Sequence, residues 1–244
     1  MARHLILVLD APLVAFGGEA VDNLGVIRDF PALSMMTGLF ANALGWDRRE
    51  TARHERLQER LKLGSLRRQP GRRMRDFQTA QLDGNDCGWT TRGQPEARAG
   101  GAGTYRGPHL RFRDFHADAI TQVVIRLDPA DEAPTLDDLA AALDRPQRPL
   151  FIGRKPCLPA RRLVDGWVEA DGVLDALCRL VEGETAPNGW QAQWPDGEGT
   201  LAGDRVSDLG DERRWRTGLH GGWRPVRTGL IRPIPATPTQ EARP

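Results

Sequence analysis

Two short apolar runs constrain this chain most. Residues His4 to Leu9 read HLILVL, continuous and rich in branched side chains, and Ala119 to Leu127 carries VVIRL at its centre. Runs of this length and character read as buried β-strands. Between them, Phe30-Pro31 leads into Ala32 to Leu44. There Leu33, Met36, Leu39, Phe40, Ala43 and Leu44 recur at helical spacing, and Gly45 supplies a stop. Thr51 to Leu63 reads as a second, strongly charged helix. Further on, Thr135 is a good N-cap for a helix over Leu136 to Leu143, with Asp137 and Asp138 in its first turn. Pro149 to Gly153 reads as a further short strand, and Val164 to Glu169 as another.

Residues 64–113 change character: glycine, arginine and polar side chains dominate, and Ala99 to Gly103 reads AGGAG. Such a stretch reads as a long insertion rather than core. The order strand, helix, inserted arm, strand, helix, strand fits a ferredoxin-like, RRM-like α+β layer with helices on one face of a sheet. The expected organisation is a palm over 1–160 with an insertion over about 70–113. A C-terminal region over 161–244 follows; it is Gly- and Trp-rich, gives no clear element pattern, and ends in a loose tail from Pro233.

Composition narrows the function. The chain has 244 residues, 39% of them hydrophobic, so it is globular. Leu5 to Leu9 is too short to cross a bilayer and no secretory signal precedes it, so a cytoplasmic, membrane-free protein is expected. Cys87, Cys157 and Cys178 match no zinc spacing, and no acidic or His/Cys cluster has ligand spacing, so no metal or other cofactor is expected. The net charge of +1 hides a polarised chain. Arg60 to Arg113 holds 12 basic and 4 acidic residues, whereas Trp167 to Glu212 holds 2 basic and 11 acidic ones. The first segment can hold a phosphate backbone and the second would repel it.

Several blocks resemble a known family. LILVLDAPLVAFGG, with Pro12, Ala15, Phe16 and Gly17, resembles the opening of the CasD (Cas-five) proteins of type I-E CRISPR Cascade complexes. FPALSMMTGLFANALG, with Phe30, Pro31, Ser34, Gly38, Leu39, Leu44 and Gly45, is similar to the family's first helix. Met74 to Thr79 resembles an Arg-Asp-Tyr-His-Thr block, with Phe77 and Gln78 in place of Tyr and His, and Arg113 to Ala119 resembles a second block. Pro149 to Pro159 is similar to a Gly-Arg-basic-X-Cys signature followed closely by Pro. The matches run in order from residue 5 to about residue 160. The resemblance implies a RAMP-type palm with a thumb arm and a scaffold role without catalysis in antiviral defence. Such a subunit caps the 5′ handle of the crRNA, packs against CasC backbone subunits and the large CasA subunit, and meets target DNA only through the complex.

The residues that could hold RNA follow. The helix starting near Ala32 offers free N–H groups, and Ser34 and Thr37 add hydroxyls, so a phosphate could sit there. Arg72, Arg73 and Arg75 enter the arm and Arg106, Arg111 and Arg113 leave it, so the two clusters could clamp a strand at its base. Arg154 and Lys155 follow a strand end, and one of them could reach RNA. Trp167, Trp190, Trp194, Trp215 and Trp223 could stack bases, but the acidic surroundings of Trp190 and Trp194 read instead as packing or partner contacts. One alternative stays open: a metal-independent ribonuclease of the type I-C kind that cuts precursor crRNA, with Tyr105 or His116 as base beside an arginine.

Overall fold

The computed structural model describes residues 1–18, 23–81, 83, 86–89, 94–96 and 107–233. In chain order its first elements are β1 (Ala2–Asp10), β2 (Leu13–Val14), β3 (Leu24–Gly25), α1 (Leu33–Ala43), α2 (Thr51–Arg60), β4 (Leu61–Gln69), β5 (Arg72–Ala80), β6 (Gly88–Trp89) and β7 (Pro95–Glu96). There follow β8 (His109–Ala117), β9 (Ile120–Leu127), α3 (Leu136–Asp144), β10 (Val164–Ala170) and α4 (Val173–Arg179). The last are β11 (Trp190–Pro195), β12 (Arg205–Leu209), β13 (Arg213–Arg214), β14 (Leu219–His220) and β15 (Arg224–Ile231).

A seven-stranded antiparallel sheet runs in the order β10-β1-β9-β4-β11-β15-β12. Its first four strands, with α1 and α2 linking β1 to β4 and α3 linking β9 to β10, have the ferredoxin-like arrangement. Alternation along each strand sends side chains to opposite faces. β1 puts Leu5, Leu7 and Leu9 on one face, where they meet Val123, Ile125 and Leu127 of β9. Leu33, Met36 and Phe40 of α1 and Leu139 and Leu143 of α3 close that face. Thr135 caps α3 as expected, in a capping box with Asp138, and Gly45 ends α1 at a φ of +76°.

The second face is also covered, against the expectation of helices on one side. Val173, Ala176 and Leu177 of α4 pack on Leu66, Val124, Ala192 and Trp194. Gly64 permits this contact, since a Cβ there would lie 2.3 Å from Val173 Cγ1. Trp194 is fully buried and so belongs to the core.

Three boundaries differ from expectation. α2 stops at Arg60, because Leu61 and Leu63 enter the ladder opposite Leu127 and Ile125. Residues 64–69 are therefore part of an interior strand, not of the insertion. Pro149 to Gly153 is a loop instead of a strand: the Ile152 N–H turns to the Cys157 carbonyl, and Gly153 has a φ of +89°. The C-terminal third, without a clear sequence pattern, supplies α4 and three strands of the main sheet.

A second sheet carries the arm. β5 pairs with β8 along its whole length, and β2 and β3 lie on the other edge of β8. Among the described residues no helix is long and apolar enough to cross a membrane, and no group of three or more His, Cys, Asp or Glu could hold a metal ion. Ala99 to Gly103 and the chain beyond Pro233 lie outside the described residues.

Candidate nucleic-acid interface

A groove of about 390 Å³ opens beside α1. Ser34, Gly38 and Asn42, four residues apart and so on one helix face, form its floor. Ala15, Gly17 and Gly18 make one wall, continued by Phe151, Gly153 and Arg154. Arg213, Trp215 and His220 of the β13–β14 hairpin region make the opposite wall. No carboxylate is among these lining residues, while two guanidiniums and an imidazole are.

The first wall joins two sequence blocks distant in the chain. The Ala15 N–H donates to the Ile152 carbonyl at 3.2 Å. A Cβ at Gly153 would fall 1.8 Å from the Ala15 carbonyl oxygen, so only glycine lets these backbones meet. Asn42 Nδ2 donates to the Pro149 carbonyl at 2.8 Å and ties the loop to α1. Gly17, by contrast, faces open space, and a ligand backbone can approach it closely.

The opposite wall is fixed by Gln58. Its Oε1 accepts from the Arg213 N–H and from Trp215 Nε1, both at 3.1 Å, and its Nε2 donates to the Arg213 carbonyl at 3.1 Å. Trp215 stacks on His54 at 4.6 Å, with Arg213 5.4 Å from the indole centroid. Burial lowers the pKa of Arg213, and Arg48 nearby adds to this. The sequence carries a signal for this wall, the basic and aromatic string Arg213 to Arg216; Trp215 is among the aromatics that could stack bases, whereas Arg213, directly after the acidic Asp211 and Glu212, is not among the expected RNA contacts.

Asp211 corrects one expectation. Its carboxylate accepts the Leu33 N–H at 2.9 Å and its carbonyl accepts the Ser34 N–H at 3.1 Å. The start of α1 is thus filled by the protein's own anion, itself fully buried and held by Arg224 at 2.7 and 2.8 Å. Thr37 is fully buried and its hydroxyl donates to the Leu33 carbonyl at 2.9 Å, so it offers nothing to a phosphate. Ser34 lines the groove but is nearly buried.

The arginines of the arm divide. Across the β5–β8 ladder Arg73 stands opposite His116 and Arg75 opposite Asp114, on one face; Arg72 opposite Ala117 and Arg113 opposite Asp76 share the other, with Arg111 opposite Gln78. Strand alternation therefore splits the expected single clamp. Arg75 makes a bidentate pair with buried Asp114 at 2.7 and 3.1 Å, which holds the Asp114 carboxyl below the usual carboxylate range. Arg73 donates to the Ile27 carbonyl, and the exposed Arg72 lies 3.6 Å from Asp118. Arg111 bonds the Leu110 carbonyl.

Arg113 and Arg154 converge instead. A Cβ at Gly25 would lie 2.8 Å from Arg113 Cδ and 2.9 Å from Arg154 Nη2. Arg154 donates to the Asp114 and Gly25 carbonyls at 2.7 and 2.8 Å and lies over the Phe115 ring at 4.9 Å. Burial, then the Arg113 charge, lowers its pKa. Lys155 next to it is exposed. Burial pushes the Cys157 thiol up, away from nucleophilic character. His116 is buried, with Nε2 3.0 Å from the Arg28 carbonyl. Tyr105 and Arg106 lie outside the described residues.

A ferredoxin-like palm carrying a two-stranded arm is the α+β fold of the RAMP class, here with a groove lined, among the described residues, by two arginines and no carboxylate. Within that class the chain belongs to the Cas-five family: the family described as CRISPR-associated protein (Cas_Cas5) matches residues 4–227. Two solved structures are similar in fold. One, described as a CRISPR RNA-guided surveillance complex, has a TM-score of 0.66 and 22% identity over 93% of this chain and 90% of that one. The other, described as a crystal structure of a Cas protein, has a TM-score of 0.61 and 22% identity over 97% of this chain and 100% of that one. No curated protein matches the chain.

Proposed function

We propose that the chain is the non-catalytic guide-RNA-binding subunit of a type I-E CRISPR surveillance complex. In this reading the groove takes the 5′ handle of the crRNA, other surfaces meet the CasC backbone and CasA large subunits, and target DNA is met only through the complex. The observation that carries it is the groove's charge: among its described lining residues Arg154, on the wall built from two blocks that resemble the family, and Arg213, on the opposite wall, stand without a carboxylate. Guanidiniums suit phosphate oxygens, and RNA binding by a largely neutral chain needs such a local concentration of charge. The fold likeness to a chain of an RNA-guided surveillance complex agrees with this reading. The non-catalytic half is supported by His116, whose burial and carbonyl contact leave it poorly placed to take a proton from a 2′-hydroxyl.

The test is co-expression with a CasC-type backbone subunit and labelled guide RNA, with and without the 5′ handle. Retention of intact RNA should depend on the handle. Arg113→Ala and Arg154→Ala should each weaken binding several-fold and reduce the salt slope by about one. Shortening of a precursor repeat by the chain alone in EDTA, abolished by His116→Ala, would replace this reading with the ribonuclease.

A further inference from the structure

Phe77 and Phe112 stand directly opposite each other on the β5–β8 arm, with ring centroids 5.3 Å apart and planes at 44°. Phe77 is 55% exposed. Neither ring belongs to the two hydrophobic cores. Toward the palm on the same face comes Arg75, half exposed, whose Nε and Nη2 are held by Asp114 while Nη1 is left over. Phe112 is half-buried, so the exposed face of the pair is chiefly the Phe77 ring, and two adjacent aromatics open to water on a strand ladder mark an interaction surface.

We propose that the Phe77–Phe112 pair is a stacking platform for an unpaired base of single-stranded RNA, with Arg75 placed for an adjoining phosphate. The inference rests on the guide-RNA reading. RRM-like sheets stack bases on aromatics of adjacent strands, but here both faces of the palm sheet are closed, one by α1 and α3 and the other by α4. The arm supplies what the palm lacks: neighbouring aromatics on paired strands, open on one side. Charge selects the occupant. On the face of the aromatic pair β5 and β8 place Arg73 and Arg75 against one aspartate, Asp114, and on the opposite face Arg72, Arg111 and Arg113 against Asp76, so each side of the arm carries a positive surplus that complements a phosphate backbone. Base stacking on an aromatic ring tolerates any base, because every base has a π-face.

The experiment uses the full chain and a short labelled single-stranded RNA, together with a set in which each nucleotide in turn is abasic. Phe77→Leu should lower affinity on the order of tenfold and leave the salt slope unchanged, since no phosphate contact is lost. Phe77→Tyr, which keeps the ring, should restore the affinity. One abasic position should weaken binding to the unaltered chain by a similar factor and have no further effect on Phe77→Leu. If Phe77→Leu binds every RNA as the unaltered chain does while Arg154→Ala does not, the platform is wrong and the guide-RNA reading stands. If the unaltered chain binds no RNA, alone or with a backbone subunit, both fall. If Phe77→Leu keeps RNA but releases the backbone subunit, the pair is a protein contact and the proposal is overturned.

Discussion

Asp114 organises the base of the arm. It is nearly buried, yet three arginines, Arg75, Arg73 and Arg154, bias it toward its charged form. Its hydrogen bonds to Arg75 are charge-assisted and so stronger than neutral ones. Because its folded-state pKa lies below the ordinary value of 3.8, it stabilises the fold fully above that value, and the stabilisation disappears as pH falls through the folded pKa. Asp114→Asn should therefore cost about 1.5–3 kcal/mol at neutral pH. Urea unfolding at neutral pH and near pH 3 checks this: the gap between the two proteins should narrow in acid, and a gap that stays constant rejects the linkage. The sequence marked Arg113 and Arg154 separately, each within its own block. That they meet across Gly25 depends on β3 pairing with β8, which spacing along the chain does not encode.

At the scale of elements, the start of α1 shows how a sequence rule can be pre-empted. Ala32 provides no side-chain cap, so the free N–H groups look available to a ligand. Asp211, more than 170 residues away, takes them. Asp211→Ala should remove a carboxylate at a helix start and leave the half-buried Arg224 without its partner, a loss of about 3 kcal/mol. Chemical denaturation measures it, and Asp211→Ala combined with Arg224→Met should recover part of the loss, since the orphaned charge is then gone. Failure of any recovery would mean that the cap, not the ion pair, carries the effect. The β13–β14 hairpin region is likewise fastened by Gln58 of α2, so the groove's far wall moves with the helices.

At the scale of the whole molecule, the C-terminal third is part of one sheet with the palm. β11 pairs with β4, and Trp194 packs with Leu66, Val124 and α4. A chain ending at Asp171 should lose cooperative unfolding and become protease-sensitive, because the second face of the palm would open to water. A chain ending at Pro233 keeps every described core residue and should unfold cooperatively. Limited proteolysis and urea melts of the two separate these outcomes; a stable, cooperative shorter chain would show that the palm folds alone.

The amino-acid sequence by itself determined the palm strands β1, β9 and β10, helix α1 with its Gly45 stop, helix α3 with its Thr135 cap, and the blocks that resemble the family, because those depend on local periodicity and backbone chemistry; β4 it left as helix and insertion. It also determined that positive charge gathers between Arg60 and Arg113. Only the tertiary structure decided which arginines share a face, that Asp211 occupies α1, that Thr37 is sealed inside, and that Arg213 and Trp215 complete the groove. Those outcomes rest on strand pairing and on contacts between residues far apart in the chain. Neither leaves a period in the sequence: a pairing partner can lie anywhere along the chain, and its register alone sets which side chains face the same way.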